Sequence, residues 1–341
     1  MTELRRELVI DEVTLQARLL YGQVLVKVCY SGICGSQIGE IDGIKGNDRF
    51  LPHLLGHEGS GIVMEIGDGV DFVRPGDHVV MHWRKGVGVD AAPPTYNWRN
   101  TRLNAGYVTT FNEFAIVSEN RLTVIPDDFD LDIAALFGCA VTTGFGVINN
   151  NARLKIGDSI AVFGAGGVGL SVIQGARLAA AHPIIAVDLY DSKLRLASKY
   201  GATHLINSSR MNIKNEIRDI IGSQGLDFTV DNTGSPDLIG LCYDLTKPQG
   251  RTVLVGVPKI GNNISIYSLP LHFGKTIIGS HGGESNPTED IPKYIRLCRA
   301  GKLDLRPMIT STFSLNEINE AIEKMRRGDV AGRCLIAMES A

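Results

Sequence analysis

The chain of 341 residues carries a formal net charge of −3, and 44% of its residues are hydrophobic and 21% charged. These values are typical of a globular protein, and the length is sufficient for two domains with a core each. The small negative charge gives no electrostatic reason to expect nucleic acid or an anionic membrane, so we expect neither as a partner.

The first residues and the cysteines bear on the cellular compartment. Residues 1–6 lack the apolar core of a signal peptide, and no apolar run reaches the roughly 18 residues of a membrane-spanning helix. We therefore expect a cytoplasmic protein. The six cysteines are scattered through a long chain, which is not a disulfide framework, so we expect reduced thiols.

Residues 1–140 have the pattern of a β-rich domain, with short strands separated by Gly and Pro turns. The strand-like runs are 23–28, two within 59–80, and 114–117. Residues 84–106 break this pattern and predict a long ordered or partly ordered loop. Trp83 and Trp98 are candidate packing anchors for this loop.

From residue 143 the pattern changes to alternating strands and helices, which predicts a doubly wound parallel sheet. We expect its strands at 159–163, 184–187, 205–206, 227–230, 252–256 and 276–279. We expect its helices at 167–180, 191–200, 211–222, 237–246 and 267–272. Two further helices, 287–300 and 315–327, precede a final strand at 333–338 that should return to the first domain. The predicted domains are therefore 1–142 with 283–341, and 143–282.

A G-x-G-x-x-G sequence lies between the first strand and first helix of the second domain, at Gly164, Gly166 and Gly169. In that position Gly164 permits a tight turn, Gly166 lets a pyrophosphate approach the backbone, and Gly169 lets the helix pack on the strand. A diphosphate would then bind the free N–H groups at the helix N-terminus, around Gly167 and Val168. The next strand ends at Asp188, whose carboxylate can bind the ribose hydroxyls of NAD and repel a 2′-phosphate. The alternative is a Gly-rich turn that binds no nucleotide.

Three residues before the second domain are of the types that hold a metal, namely Cys34, His57 and Cys139. Two thiolates and one imidazole suit Zn²⁺, and three protein ligands with one open position are typical of a catalytic zinc. Such a metal can lower the pKa of an alcohol, which prepares it for hydride donation. Isolated cysteines and histidines are, however, often buried core residues, and the spacing by itself leaves both interpretations open.

The chain resembles the zinc-dependent medium-chain dehydrogenases/reductases of the alcohol dehydrogenase type. The segments that carry the resemblance are 32–36, 55–61, 76–79, 139–144, 164–169, 187–188 and 255–258. The resemblance implies a GroES-like β domain formed by both chain ends, a Rossmann domain between them, and zinc on the three candidate ligands. It also implies roles for further residues: proton transfer by Ser36, a position behind the metal for Glu58, nicotinamide contacts from Thr143 and Val257, and a pyrophosphate contact from Arg333.

Three departures from the family pattern affect the site. No cysteine lies between Glu58 and Cys139, so the structural zinc that many members carry should be absent and one zinc is expected. Gln37 replaces the acid that commonly supports the zinc-bound histidine, so that support is weakened or comes from elsewhere. Gly39 replaces a relay histidine, so the proton must leave by water, the cofactor ribose or another side chain.

The predicted activity is hydride transfer between NAD(H) and an alcohol–carbonyl pair by a zinc enzyme. The alternatives are a zinc-free quinone or enoyl reductase on the same fold, or a non-catalytic nucleotide-binding protein. A polyol, sugar or secondary alcohol is the favoured substrate, because Gly39 and Ser36 are small and the 84–106 loop is rich in polar and aromatic residues. Residues 276–279 are a candidate edge strand, so we expect a homodimer or homotetramer.

Overall fold

The computed structural model describes residues 1–338. Its strands are β1 (Gln23–Gly32), β2 (Glu58–Ile66), β3 (His78–His82), β4 (Thr95–Trp98), β5 (Thr101–Asn104), β6 (Phe114–Ser118), β7 (Leu122–Ile125), β8 (Ile160–Phe163), β9 (Ile184–Asp188), β10 (His204–Asn207), β11 (Leu226–Asp231), β12 (Thr246–Leu254), β13 (Thr276–Gly279), β14 (Ile309–Ser314) and β15 (Arg333–Ala337). Its α-helices are α1 (Gly35–Ile41), α2 (Leu131–Ala135), α3 (Ala140–Gly146), α4 (Gly167–Leu178), α5 (Asp191–Lys199), α6 (Ile213–Ile221), α7 (Pro236–Leu245), α8 (Pro287–Arg299) and α9 (Ile318–Arg326). A π-helical segment, Val147–Ala152, follows α3.

The chain divides into two compact units. The first, which we call the catalytic unit, comprises residues 1–139 and the segment from Asn286 onward, and the second, the nucleotide unit, comprises residues 140–285. These limits lie three residues from the boundaries expected at 142/143 and 282/283. The end of the expected 283–341 segment, residues 339–341, lies outside the described residues.

The catalytic unit is built on a seven-stranded sheet in the order β14-β15-β1-β2-β3-β7, with β6 also paired to β1. Val24, Val26 and Val28 of β1 are fully buried, as the alternation in this segment predicted. The C-terminal strand β15 pairs antiparallel with β1, so both chain ends contribute to one sheet. This arrangement confirms the expected β-rich domain.

The nucleotide unit contains six parallel strands in the order β10-β9-β8-β11-β12-β13. Strand order reverses between β8 and β11, which is the position where open α/β sheets bind ligands at the carboxyl ends of their strands. The core side chains of β8 and β9 are apolar and fully buried, including Ala161, Phe163 and Ile185. The predicted doubly wound parallel sheet is therefore confirmed.

The structure differs from the expectations in several short elements. Residues 84–106 contain a hairpin of β4 and β5 rather than only a loop, with Tyr96 opposite Leu103. Helices α1, α2 and α3 were not predicted, because each is no longer than seven residues and too short for a clear period of 3.6. The segment expected as a helix at 267–272 is a short 3₁₀ helix, Leu269–Phe273.

Within residues 1–338, no single helix is long and apolar enough to cross a membrane. The short helical segments Leu131–Gly138 and Ala140–Ala152 reach the required length only when they are taken together, as a bent pair.

Candidate active site

Cys34, His57 and Cys139 come from three places where regular structure begins or ends. Cys34 precedes α1, and its backbone N–H donates to Oε1 of Gln37 at 3.0 Å. His57 directly precedes β2, and Cys139 lies between a 3₁₀ turn and α3. Binding and catalytic residues are common on such connecting segments, which a rigid scaffold positions.

The candidate ligand atoms of Cys34, His57 and Cys139 all lie within 4.8 Å of one another. Both thiols are buried, and Nε2 of His57 is buried without a hydrogen-bond partner among the described residues. Contacts with Cys139 and with His57, together with the charge of Arg333, lower the pKa of Cys34 well below that of an ordinary thiol, against the opposing effect of burial. A thiolate, a second thiol and an unpaired imidazole nitrogen form a donor set that fits zinc.

The other four cysteines have a different environment. Cys242 and Cys334 are fully buried, and burial raises the pKa of Cys334 to about 11 and that of Cys242 well above the usual value. Burial also raises the pKa of Cys29, and that of Cys298 to about 11. These four thiols are therefore protonated near neutral pH, unlike Cys34, and pack as small apolar groups.

Glu58 is completely buried, and its carboxylate forms an ion pair with the guanidinium of Arg333, which is also buried. The pair lies tightly against β1: a Cβ added at Gly32 would lie 2.7 Å from Oε1 of Glu58 and 2.8 Å from an Arg333 nitrogen. Only glycine fits at position 32 without displacing the pair. Because the charge of Arg333 also acts on Cys34, the pair belongs to the surroundings of the three candidate ligands.

In the nucleotide unit, the loop between β8 and α4 has the geometry expected from the spacing of its glycines. Gly164 has φ of +89°, which favours glycine, and a Cβ at Gly169 would lie 1.9 Å from the carbonyl oxygen of Gly164. A Cβ at Gly166 would meet no atom within 4 Å, so open space faces this residue. No side chain caps the N-terminus of α4 at Gly167 and Val168, which leaves its N–H groups available for phosphate.

Asp188 lies at the end of β9 beside the glycine loop. Its carboxylate accepts hydrogen bonds from the backbone N–H groups of Ala165 at 2.8 Å and Tyr190 at 3.0 Å. Elsewhere in this unit, the hydroxyl of Thr143 is buried without a partner, and the side chain of Val257 is 45% exposed. An unpaired hydroxyl, an exposed valine, an anchored carboxylate and an open glycine loop are features that a bound dinucleotide would complete.

Comparison with known proteins matches these two units to two family descriptions. Residues 21–127 match the alcohol dehydrogenase GroES-like domain, and residues 167–300 match the zinc-binding dehydrogenase domain. S-(hydroxymethyl)glutathione dehydrogenases of Escherichia coli O1:K1 and of Shigella sonnei are each 34% identical to this chain, over 90% of each chain. The chain belongs to the zinc-dependent medium-chain alcohol dehydrogenase family.

Solved structures agree with this assignment. An alcohol dehydrogenase zinc-binding domain protein from Burkholderia ambifaria has a TM-score of 0.90 and 28% identity, covering 99% of this chain and 97% of its own. Benzyl alcohol dehydrogenase from Acinetobacter calcoaceticus has a TM-score of 0.85 and 28% identity, covering 96% and 94%. The predicted fold and the predicted class of activity, NAD-dependent interconversion of alcohols and carbonyls with zinc, are therefore confirmed.

The position beside Ser36 in this alcohol dehydrogenase differs from the expectation. Ser36 lies on α1 two residues after Cys34, but the space beside Gly39 is filled, since an added Cβ would lie 2.5 Å from Cδ1 of Ile44. The expectation that a small Gly39 leaves this side of the pocket open is therefore wrong. Ile44, five residues further along the chain, folds back over the glycine, with its N–H bonded to the Gly39 carbonyl at 2.9 Å.

Gln37, which replaces an acid, is almost completely buried. Its Oε1 accepts from the backbone of Cys34, and its Nε2 is buried with no partner among residues 1–338. The amide therefore supports the segment that carries Cys34 rather than the imidazole of His57. A carboxylate could not offer the N–H groups that Gln37 presents here.

Trp83, a candidate packing anchor, directly follows β3. The pairing of β2 with β3 ends at Glu58 opposite His82, and Trp83 packs against the apolar core cluster that includes Val63 and Met81. The guanidinium of Arg84 lies 6.0 Å from the centroid of the Trp83 ring. The contacts of Trp83 are therefore those of a packing residue.

His82, the last residue of β3, has a structural role. Its side chain is completely buried, with Nδ1 2.7 Å from the Arg84 carbonyl and Nε2 2.9 Å from the hydroxyl of Thr123. Burial lowers the pKa of His82 to about 4, so the ring is neutral near neutral pH. A neutral ring that donates to a carbonyl and accepts from a hydroxyl has no free nitrogen for catalysis.

The 84–106 segment, which we call the lobe, is held by its own side chains. Tyr96 and Leu103 pack on Ile116, and the Tyr96 hydroxyl accepts a hydrogen bond from the Ile116 backbone at 2.9 Å. The Trp98 indole donates to Asp11 at 2.9 Å. The polar and aromatic residues expected to close over a substrate therefore have partners within the catalytic unit.

Proposed function

We propose that Cys34, His57 and Cys139 bind one catalytic zinc and that this enzyme oxidises a secondary or hydroxyl-rich alcohol with NAD⁺. The observation that carries the proposal is the buried cluster itself, with a thiolate at Cys34 and an unpaired Nε2 at His57. Zinc bound there supplies a Lewis acid that lowers the pKa of an alcohol hydroxyl. The remaining chemistry belongs to side chains of the protein.

Ser36 is the hydroxyl on α1 that follows Cys34, and in this proposal it accepts the proton of the substrate alcohol. Glu58 and Arg333 form a buried ion pair beside the ligands, and the charge of Arg333 adds to the contacts with Cys139 and His57 that lower the pKa of Cys34. In the bound state Arg333 also contacts the cofactor pyrophosphate, as family resemblance suggests. All of these groups are fixed by burial or by short backbone connections, which favours a preorganised site.

A single zinc is supported by the composition and packing of the lobe. No cysteine lies between Glu58 and Cys139 in the sequence, so a four-cysteine site has no ligands there. The apolar contacts of Tyr96 and Leu103 hold the lobe in its place. We therefore assign one zinc to each chain.

A preference for NAD over NADP follows from Asp188. Its carboxylate is held against the glycine loop by the Ala165 N–H, at the strand end where an adenosine ribose binds. A second acid, Asp191, follows at once and neutralises Arg210 in a two-oxygen contact. In this proposal Gly164, Gly166, Gly167, Val168 and Gly169 hold the diphosphate, and Thr143 and Val257 contact the nicotinamide.

A substrate larger than ethanol is supported by the relatives of this chain, which include S-(hydroxymethyl)glutathione dehydrogenases at 34% identity and a benzyl alcohol dehydrogenase at 28% identity. We favour a polyol, a sugar or another secondary alcohol.

Assembly through the edge of the nucleotide unit is supported by its surface. Strand β13 pairs on one side only among the described strands, and the segment before it exposes large apolar side chains, including Ile260, Tyr267 and Phe273 at 66–68%. We infer a homodimer or homotetramer, located in the cytoplasm. Light scattering at micromolar concentration should show no monomer, and Phe273→Asp should shift the mass downward.

The proposed function is tested with metal-analysed protein and an NAD-linked panel of ethanol, benzyl alcohol, linear polyols, cyclic secondary alcohols and S-(hydroxymethyl)glutathione. We expect one zinc per chain and the highest kcat/KM on a polyol or secondary alcohol. If ethanol exceeds every larger alcohol, the substrate class is wrong. If zinc is bound but no alcohol or carbonyl turns over, the catalytic proposal itself is wrong.

Two variants test the assigned roles. Ser36→Ala should reduce turnover by about 10²-fold with little change in cofactor affinity, because only proton transfer is affected. Asp188→Ala should narrow the NAD preference about tenfold or more, because the repulsion of a 2′-phosphate is removed. Unchanged turnover in the first variant, or equal efficiency with NAD and NADP in the unmodified enzyme, would contradict these assignments.

A further inference from the structure

Oxidation of an alcohol by NAD⁺ releases one proton for each hydride transferred, and this proton must travel from a shielded oxygen to solvent. The side of α1 that carries Gly39 offers no route. Glycine has no titratable group, and the side chain of Ile44 fills the space beside it, 2.5 Å from the position of an added Cβ. The exits that remain are water, the cofactor ribose and other side chains near Ser36.

Glu40 lies on the same helix face as Ser36. Residues four apart in a helix are neighbours, with Cβ atoms about 5–6 Å apart, and both belong to α1. The carboxylate of Glu40 is half-buried and forms no hydrogen bond or ion pair within the part of the chain that the structure describes. An unpaired carboxylate at this distance can exchange a proton with a hydroxyl through one bridging water.

Beyond Glu40 lies a histidine–aspartate pair. A carboxylate oxygen of Glu40, one of Asp48 and a ring nitrogen of His53 all lie within 4.8 Å of one another. Nδ1 of His53 is 2.7 Å from the Leu54 carbonyl, and Nε2 is 2.8 Å from Oδ2 of Asp48. Because a carbonyl only accepts, Nδ1 keeps its proton, and Nε2 is the nitrogen that exchanges one.

The pair leads toward solvent. The side chain of His53 is 9% exposed and that of Asp48 is 13% exposed, and the neighbouring residues Asn47 and Arg49 are exposed. The chain of groups thus begins beside the catalytic helix face and ends at the protein surface. None of its three members belongs to the cluster of Cys34, His57 and Cys139.

We propose that Glu40, His53 and Asp48 form the proton exit for alcohol oxidation in this enzyme, an inference that rests on the proposed function. The O–H bond of the alcohol breaks, and its proton passes by Ser36 Oγ and a water to Glu40. Nε2 of His53 takes this proton from Glu40 and passes it to Asp48, which releases it to solvent, so that all three groups end in the protonation state in which they began. The hydride goes to NAD⁺, so one alcohol gives one carbonyl, one NADH and one proton, and no other oxidant is needed.

Glu40→Gln is the decisive variant, because it preserves shape and removes no hydrogen bond or ion pair. Stopped-flow release of protons to a pH indicator should slow about tenfold or more, together with turnover under conditions where this step limits the rate. Added imidazole should restore the rate, because a small base replaces the missing carboxylate. Zinc content, melting temperature and KM for NAD⁺ should stay unchanged. Glu65→Gln, an exposed glutamate on β2, is the matched control and should behave as the unmodified enzyme.

His53→Gln is a second variant. A double variant that combines it with Glu40→Gln should release protons no more slowly than the slower of the two single variants, because both substitutions interrupt the same route. Active Glu40→Gln enzyme with unmodified proton release would overturn the route alone. Loss of a bound metal ion in Glu40→Gln would also overturn it, since the three groups would then be a cation site. An unmodified enzyme without alcohol turnover would overturn the proposed function and the route with it.

Discussion

The catalytic unit contains two regions with buried polar groups. The regions differ in whether those groups have hydrogen-bond partners within the protein. Around Cys34 and His57, buried nitrogen atoms of His57 and Gln37 have no partner in the described protein, and a thiolate is stabilised by neighbouring groups. At the base of the lobe, the buried carboxylate of Glu119 accepts hydrogen bonds from the backbone N–H groups of Asp71, Phe72 and Val89 at 2.6–2.7 Å. The first region needs a ligand to complete it, whereas the second is complete.

This difference separates function from stability within one unit. A buried polar atom left unpaired costs about 1–3 kcal/mol, so a fold tolerates it where a bound group supplies the missing interaction. The carboxylate at the base of the lobe is fully paired, and the tip of the lobe is closed by Tyr96, Leu103 and Ile116. Metal removal should therefore affect the pocket and leave the lobe in place.

The largest effect should come from removing a candidate ligand. Cys139→Ala should lose zinc and reduce turnover at least about 10³-fold, because two remaining donors do not hold a catalytic metal. Elemental analysis and steady-state kinetics measure both changes. Cys298→Ala is the matched control, since that thiol lies on α8 with a raised pKa and should be neutral to both. If Cys139→Ala keeps its full zinc content and full turnover, the pocket does not need this ligand, and the contrast between an incomplete pocket and a complete lobe is wrong.

The second effect concerns the lobe. Glu119→Ala should lower the free energy of unfolding by about 3 kcal/mol, because three backbone N–H groups lose their acceptor. Zinc content and turnover per folded molecule should be retained. Denaturant titration of the variant, and of unmodified enzyme before and after chelation, measures the comparison directly. If chelation alone destabilises the enzyme as much as Glu119→Ala does, a metal also holds the lobe and the comparison fails.

The smallest effect concerns His82, whose buried ring is held by Arg84 and Thr123. Its pKa is about 4 in the folded state, against an ordinary pKa of 6.5 for a histidine in an unfolded chain. The neutral buried ring therefore contributes stability that is fully present above pH 6.5 and is lost as the pH falls toward 4. Between about pH 7 and about pH 5.5 the loss should be about 1 kcal/mol.

Chemical denaturation of unmodified enzyme and of His82→Gln across this pH interval isolates that contribution. The variant should start less stable and should lose about 1 kcal/mol less than the unmodified enzyme on acidification. If the free energy of unfolding falls by the same amount in both proteins over this pH interval, His82 does not stay neutral in the folded state.

Much of the fold was predictable because its signals are local. The β8–α4 glycine loop, the acid at the end of β9 and the alternating helices of the nucleotide unit depend on residues close together in sequence, where hydrophobic period and glycine spacing act directly. The absence of cysteine from the lobe was equally visible. The hairpin of β4 and β5 was missed because its pairing depends on contacts with Ile116 and Asp11, which are distant in sequence.

The residue types along the chain establish which chemistry is possible: two cysteines and one histidine of ligand type, a hydroxyl at Ser36, a dinucleotide loop and Asp188. Which of these groups meet depends on the folded arrangement. A folded-back loop fills the space beside Gly39 with Ile44, and the return of β15 brings Arg333 to Glu58. These outcomes depend on side-chain packing and on pairing between residues up to 275 positions apart, which no local pattern encodes.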